Sequence, residues 1–269
     1  MKFLSAKPSL YLSDYVIQYW AIDNCLNTGE EYRHTIIPTG LSEITFYFDS
    51  VPDSDDSRRI ITDRYIVSGQ QNSSYDLLIK GHLSMFSVTL KPYAIAVLFG
   101  IPATEFVNSN VSLKDVFSDD FNMLEDMLML SDSFDDKVKV VERFLIYLLT
   151  GNCNSDIKRI SKIIGTINSS VEDIRMERLA SEACLSKKQF ERIFASSVGI
   201  TPKRFMKIVR FQKAIFYRQL DSSLSLTNLA YKCCYYDQSH MINDFKALCG
   251  LTPSQFFNVC NPYSDYFNV

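Results

Sequence analysis

The chain has no apolar run long enough to cross a bilayer. Its longest, Ala94 to Phe99, falls far short of the roughly 20 residues a membrane helix needs. The opening residues, Met1-Lys2-Phe3-Leu4-Ser5-Ala6-Lys7-Pro8, hold no continuous apolar core and no small-residue cleavage site, so no secretory signal is expected. Histidine is scarce: His34, His82 and His240 stand alone in sequence, and the seven cysteines include no C-x-x-C pair. No metal site and no cofactor are expected from such spacing. An odd, uneven set of thiols fits a reducing cytosol, where Cys acts mainly as a small buried hydrophobe, so the expected location is cytoplasmic. With 9 Gly, 8 Pro and 46% apolar residues among 269, the chain is neither collagen-like nor disordered, and can build one large domain or two ordinary ones.

A formal charge of −3 conceals an asymmetry. Residues 1–154 carry 12 basic against 21 acidic side chains, whereas residues 155–260 carry 16 against 9. The asymmetry fits either two units with different partners, the basic one suited to a polyanion, or helix surfaces that the extra Lys and Arg merely solvate; charge alone does not decide between them. The break Thr150-Gly151-Asn152-Cys153-Asn154-Ser155 divides the chain into expected domains at 1–152 and 153–269.

The first 115 residues read mostly as strands. Ile44, Phe46 and Phe48 alternate on one face, and Phe86, Val88 and Leu90 repeat that period. Thr35 to Ile37, Tyr65 to Val67 and Leu77 to Ile79 are further short apolar runs bounded by turn formers, while residues 49–57 read as a polar loop. An antiparallel sandwich or barrel is expected. The period then lengthens, predicting helices over Phe121 to Leu130 and Phe134 to Leu149. In the second, Val138, Val141, Leu145 and Leu148 form one stripe, which either packs on its own domain or pairs with a second copy in a homodimer.

The last third contains a repeat. Leu179-Ala180, Phe190, Phe194, Gly199-Ile200-Thr201-Pro202 and Phe205 recur as Leu229-Ala230, Met241, Phe245, Gly250-Leu251-Thr252-Pro253 and Phe256. Each copy reads as a helix with Leu-Ala on its buried side, a short turn, and a second helix with bulky apolar residues four apart. Ser186 and Asp237 suit N-caps, Gly199 and Gly250 suit the left-handed C′ position, and Thr-Pro opens the next helix. This is a helix-turn-helix arrangement, present twice and joined by a helix over Pro202 to Arg218.

Its outer faces carry side chains able to read base edges in a major groove: Lys187, Lys188, Gln189 and Arg192 in the first copy, Gln238, Ser239, His240 and Asn243 in the second. Ser186, Ser196, Lys203, Arg204, Lys207, Arg210 and Lys246 are the expected phosphate contacts. Asp237 and Asp244 dilute the second face, so the first copy is expected to dominate affinity.

These duplicated residues, over roughly Ile157 to Phe257, resemble the DNA-binding domain of AraC-type (AraC/XylS) transcription regulators. Tyr19-Trp20, Ile37-Pro38-Thr39-Gly40 and the stretch from Thr89-Leu90-Lys91-Pro92-Tyr93-Ala94 through Leu98-Phe99-Gly100 resemble the N-terminal domain of a subgroup of them. The resemblance implies an α+β chain, with an N-terminal cupin-like antiparallel β-barrel and a C-terminal all-α domain. It also implies double-stranded DNA as partner, a small-molecule effector, a homodimer and contact with RNA polymerase. Two departures stand out: Cys184 and Cys234 occupy turn positions that are usually Gly in the family, and Phe257 stands where Arg is frequent.

Trp20, Phe46 and Phe48 are the candidates for an effector pocket, with plain core packing as the alternative. A half that only dimerises or docks a partner is the second reading of the N-terminal region. An enzyme, including a methyl-accepting repair regulator with a reactive Cys, is disfavoured: no Cys-rich cluster precedes the helices, and His34 and His82 are too few for a cupin metal site. No catalytic residue is assigned.

Overall fold

In the computed structural model the described residues are 2–27, 29–117, 119–149, 155–170 and 174–259. Among them nine strands form in the N-terminal part: β1 (Lys2–Ala6), β2 (Val16–Cys25), β3 (Glu31–Ile36), β4 (Ser42–Tyr47), β5 (Asp53–Ser54), β6 (Tyr65–Ser68), β7 (Tyr75–Lys80), β8 (His82–Leu90) and β9 (Asn110–Ser112). They pair antiparallel in a six-stranded sheet, ordered β1-β2-β8-β4-β6-β9, and a three-stranded one, ordered β3-β7-β5. All five strand segments expected from periodicity are present. β1 and β2 were not expected, and β5 lies in the stretch expected to be loop.

Before β9 come α1 (Ala94–Phe99) and a 3₁₀ turn (Ala103–Phe106); after it come α2 (Leu113–Phe117), α3 (Asp119–Met129) and α4 (Phe134–Leu149). Strand alternation sorts the side chains of the large sheet. Tyr19, Ile44, Phe46, Tyr65, Phe86 and Val88 share one face, where they pack with Phe121 and Leu124 of α3 and Val141 and Leu145 of α4. The other face carries Tyr47 and Ile66, which meet Ile79 of the small sheet.

This sorting bears on two readings the sequence left open. Val141 and Leu145 are 1% and 0% exposed, and Val138 and Leu148 pack on the same cluster, so the α4 stripe is consumed by its own domain and is not offered to a second copy. Phe46 is buried among Tyr65 and Phe86, and Phe48 packs on that cluster too, so neither faces the space between the sheets. Trp20 does lie on the opposite face, stacked on Phe3 and donating from Nε1 to Thr89 Oγ1 at 3.1 Å.

The helical part comprises α5 (Ser155–Ser169), α6 (Met176–Glu182), α7 (Lys187–Val198), α8 (Pro202–Leu220), α9 (Leu226–Lys232), α10 (Gln238–Cys249) and α11 (Pro253–Val259). The expected domain break falls outside the described residues except at Ser155, where α5 starts. One apolar cluster joins Tyr93 and Val97 to α5 through α11. No helix among the described residues is long and apolar enough to cross a membrane.

Candidate nucleic-acid interface

Two helix pairs, α6–α7 and α9–α10, are built alike because their turns close alike. In the first, the Cys184 amide donates to Ser181 O and the Leu185 amide to Ala180 O; in the second, Cys234 donates to Tyr231 O and Tyr235 to Ala230 O. These are the paired bonds of a Schellman ending, which puts the C′ residue in the left-handed region. Cys184 and Cys234 occupy it, at φ +54° and +62°. A Cβ there crowds the following carbonyl, so replacing the exposed Cys184 by Gly should stabilise the chain by about 1 kcal/mol. The check is thermal unfolding, where Cys184→Gly should raise the midpoint by about 2–4 °C.

Each turn delivers a capped second helix. Ser186 caps α7 in a reciprocal capping box with Gln189, and Asp237 caps α10 by accepting from the His240 amide at 2.7 Å. Gly199 and Gly250 end the two helices at φ +94° and +74°. Phe190 and Phe194 turn inward, and the Phe194 ring meets Phe205 of α8 at 5.6 Å between centroids. The opposite side of α7 is therefore outward: Lys187, Lys188, Gln189, Arg192 and Ser196 are all exposed. On α10, Ser239, Asn243 and Lys246 are exposed, while Gln238 and His240 are half-buried.

Several of these side chains already have partners. Lys187 pairs with Glu177 at 2.8 Å, a hydrogen bond that raises the lysine pKa and lowers that of the carboxyl. Gln189 Oε1 accepts from Ser186 Oγ at 2.9 Å, and Gln238 Oε1 accepts from Thr227 Oγ1 at 3.2 Å. Lys188 and Arg192 have no ion-pair partner among the described residues, which leaves them the most available cationic side chains on α7.

The phosphate set needs larger correction. Asp244, expected on the outer face, is 5% exposed and draws in Lys207 at 2.9 Å and Arg210 at 3.4 Å. Both cations are mostly buried and serve an internal pair; Arg210 also lies over the Tyr235 ring. Arg204 bonds the carbonyl of Asn72 in the N-terminal half. Lys203, Ser196 and Lys246 remain exposed, and Ser186 serves as a cap.

α8 holds the two pairs at a set distance. Its 19 residues make a continuous helix of about 28 Å. Successive major grooves on one side of a duplex lie about 34 Å apart. The arrangement can place two outward helix faces along one side of DNA.

Comparison with known proteins bears on both halves. A helix-turn-helix domain family model matches residues 179–258, and a domain of unknown function (DUF6597) matches residues 4–112. An uncharacterised HTH-type transcriptional regulator of Haemophilus influenzae is 29% identical over 117 residues, covering 44% of this chain and 37% of that protein. The HTH-type transcriptional activator RhaS of Citrobacter koseri is 27% identical over 100 residues, covering 37% and 35%. The chain thus spans little more than a third of the length of these curated relatives. Among solved structures, ToxT of Vibrio cholerae aligns with a TM-score of 0.48 at 11% identity, covering 90% of this chain and 99% of that one. The DNA-binding domain of AdpA in complex with a target DNA aligns at 0.34 and 21% identity, over 36% and 88%.

Proposed function

We propose that the chain is a sequence-specific transcription regulator of the AraC type that binds double-stranded DNA and answers to a small molecule, on the support of the helix-turn-helix match over residues 179–258 and the regulators it is similar to. The observation that carries the reading is the pair of equally closed turns, each presenting a capped helix whose polar face is outward. Lys188 and Arg192 on α7 would read bases, Arg192 by a two-pronged bond to guanine, with Ser239 and Asn243 reading fewer on α10. Lys203 and Lys246 would grip phosphates. Glutamine amides tied to helix caps or to Thr227 contribute less.

The effector belongs to the space between the two sheets. Its support is the face of the large sheet that bears Trp20 with Thr45, Ser87 and Thr89, an indole and three hydroxyls on neighbouring strands. A regulator of this kind works inside the cytoplasm and acts on RNA polymerase. Homodimerisation, if part of the same function, uses a surface other than the α4 stripe.

Selection of bound duplexes from a random pool tests the reading directly. A defined motif with two sub-sites supports it; a pool that stays random after selection sinks it. Titration at about 50 and 200 mM salt adds a second measure: Lys203→Ala should weaken every sequence alike and reduce the salt slope by about one.

A further inference from the structure

The N-terminal half is hydrogen-bonded to the helical half at the second helix-turn-helix unit and at two points of α8. Gln212, fully buried at the middle of α8, donates from Nε2 to Pro38 O at 2.8 Å. The Ser74 amide donates to Leu248 O, in the last turn of α10, at 2.8 Å. The guanidinium of Arg204, in the first turn of α8, donates to Asn72 O. Two of these ties lie in the 69–74 loop, and that loop is itself held by Asn108. Asn108 has φ +55°, and its Oδ1 accepts from the Asn72 amide at 2.8 Å and from Arg59 Nη2 at 3.1 Å.

Arg204 is poorly served where it lies. A guanidinium carries five N–H donors in a planar fork. Here one nitrogen reaches a neutral carbonyl, Nε is buried without an acceptor, and no carboxylate lies within ion-pair distance among the described residues. Burial of this half-buried cation pushes its pKa below the ordinary value, and the Asp244 carboxylate, already paired with Lys207 and Arg210, offsets only part of that. A phosphate would accept two of its donors in parallel, a bond about twice as strong as one to a neutral group. Its neighbour Lys203 is exposed, so the start of α8 lies at the surface beside the C-terminus of α7.

We propose that Arg204 is a latent phosphate contact, held under the 69–74 loop while the halves are docked and handed to DNA when that loop lifts. The inference rests on the DNA-binding reading above and adds a regulatory step to it. A signal received in the N-terminal half needs only to move Asn108 or the loop it holds to change the number of phosphates gripped by one.

The test uses the full chain and its selected duplex. Asn108→Gly keeps the left-handed backbone and removes the Oδ1 that accepts from the Asn72 amide and from Arg59, so the loop is loosened at Asn72 while the Asn108 amide bond to Gln70 O and the Arg59 bond to Ser73 Oγ stay in place. It should tighten binding roughly threefold or more and steepen the salt slope by about one. The same change made in an Arg204→Ala background should give no gain. Gln212→Leu, which cuts the separate tie to Pro38, should act in the same direction, with thermal unfolding used to confirm that each variant is folded. A gain that survives without Arg204, or folded variants that do not tighten at all, overturns the inference. A wild-type chain that prefers no duplex overturns the regulator reading instead, and this inference with it.

Discussion

Gly69→Ala should cost about 3 kcal/mol of stability and lower the thermal midpoint by about 6–12 °C. A Cβ on Gly69 would lie 2.1 Å from the carbonyl oxygen of Phe106, 2.5 Å from its carbonyl carbon and 2.6 Å from its Cβ. None of these atoms can swing aside by a rotamer change. The end of β6 or the 3₁₀ turn must shift, and Phe106 is 2% exposed within the sheet–helix core. The same turn packs on α7, and Ala103 O is 2.9 Å from where a Cβ on Gly199 would stand, so the disturbance reaches the end of the first reading helix. Gly165 supplies the contrast. It lies within α5 with nothing inside 4 Å of its added Cβ, so Gly165→Ala should stabilise the chain, by about 1 kcal/mol from helix propensity. Denaturant unfolding of the two variants checks both signs at once. A Gly69→Ala protein as stable as wild type would mean that the 69–74 loop does not lie against the 3₁₀ turn.

The second large effect falls on binding. Arg192→Ala should cost about 1–3 kcal/mol against the selected duplex, about 5- to 150-fold in Kd, and should relax the base preference at one position. Arg192 is exposed on the outward side of α7, two residues from the buried Phe190 and Phe194, and no internal ion pair holds it among the described residues. Arg210→Ala, by contrast, should act mainly on folding, because Arg210 pairs with the buried Asp244. Removing one partner of such a pair leaves the other charge uncompensated. Competition binding against single-base variants of the duplex separates the two. If Arg192→Ala weakens every variant equally, Arg192 is a phosphate contact and not a reader.

How much of this was legible in the residues depends on the range over which each feature is determined. The two helix-turn-helix units are legible because their signals are local: Ser186, Gly199, Thr201 and Pro202 each act within one helix turn, and fifty-one positions on stand Asp237, again a cap, and Gly250, Thr252 and Pro253. At Cys184 and Cys234 the resemblance marks positions where Gly is usual without fixing what a Cys does there; both keep the left-handed conformation. The strands over Glu43 to Phe48 and Phe86 to Leu90 were legible by alternation. Alternation does not say which face meets what, however. Both faces of the large sheet are covered, one by α3 and α4 and the other by the small sheet, so alternation alone leaves Phe46 open to a pocket or to the core, and it lines the helix side. β2 escaped because its alternation is broken by an irregularity between Val16 and Gln18.

The misplaced cations share a cause. Asp244 was counted on the polar face of α10, yet it stands with Met241, Phe245 and Leu248 at helical spacings of three, four and seven, all buried. That spacing was the available sign that Lys207 and Arg210 had an internal partner. Arg204, Gln212 and Ser74 had no such sign. Their partners are backbone carbonyls of Asn72, Pro38 and Leu248, between 132 and 174 residues away for the side-chain ties, and a backbone carbonyl leaves no trace in residue type.

The Ser74–Leu248 bond bears on how the helical half can be handled. Excised as a fragment starting at α5, α10 would keep its sequence but lose the amide that terminates its carbonyl ladder. Gln212 would be stranded on an apolar stripe, and Tyr93 and Val97 would vanish from the cluster they complete. Such a truncate would fray at the distal end of its second reader, and affinities measured on it would describe a looser molecule than the intact polypeptide.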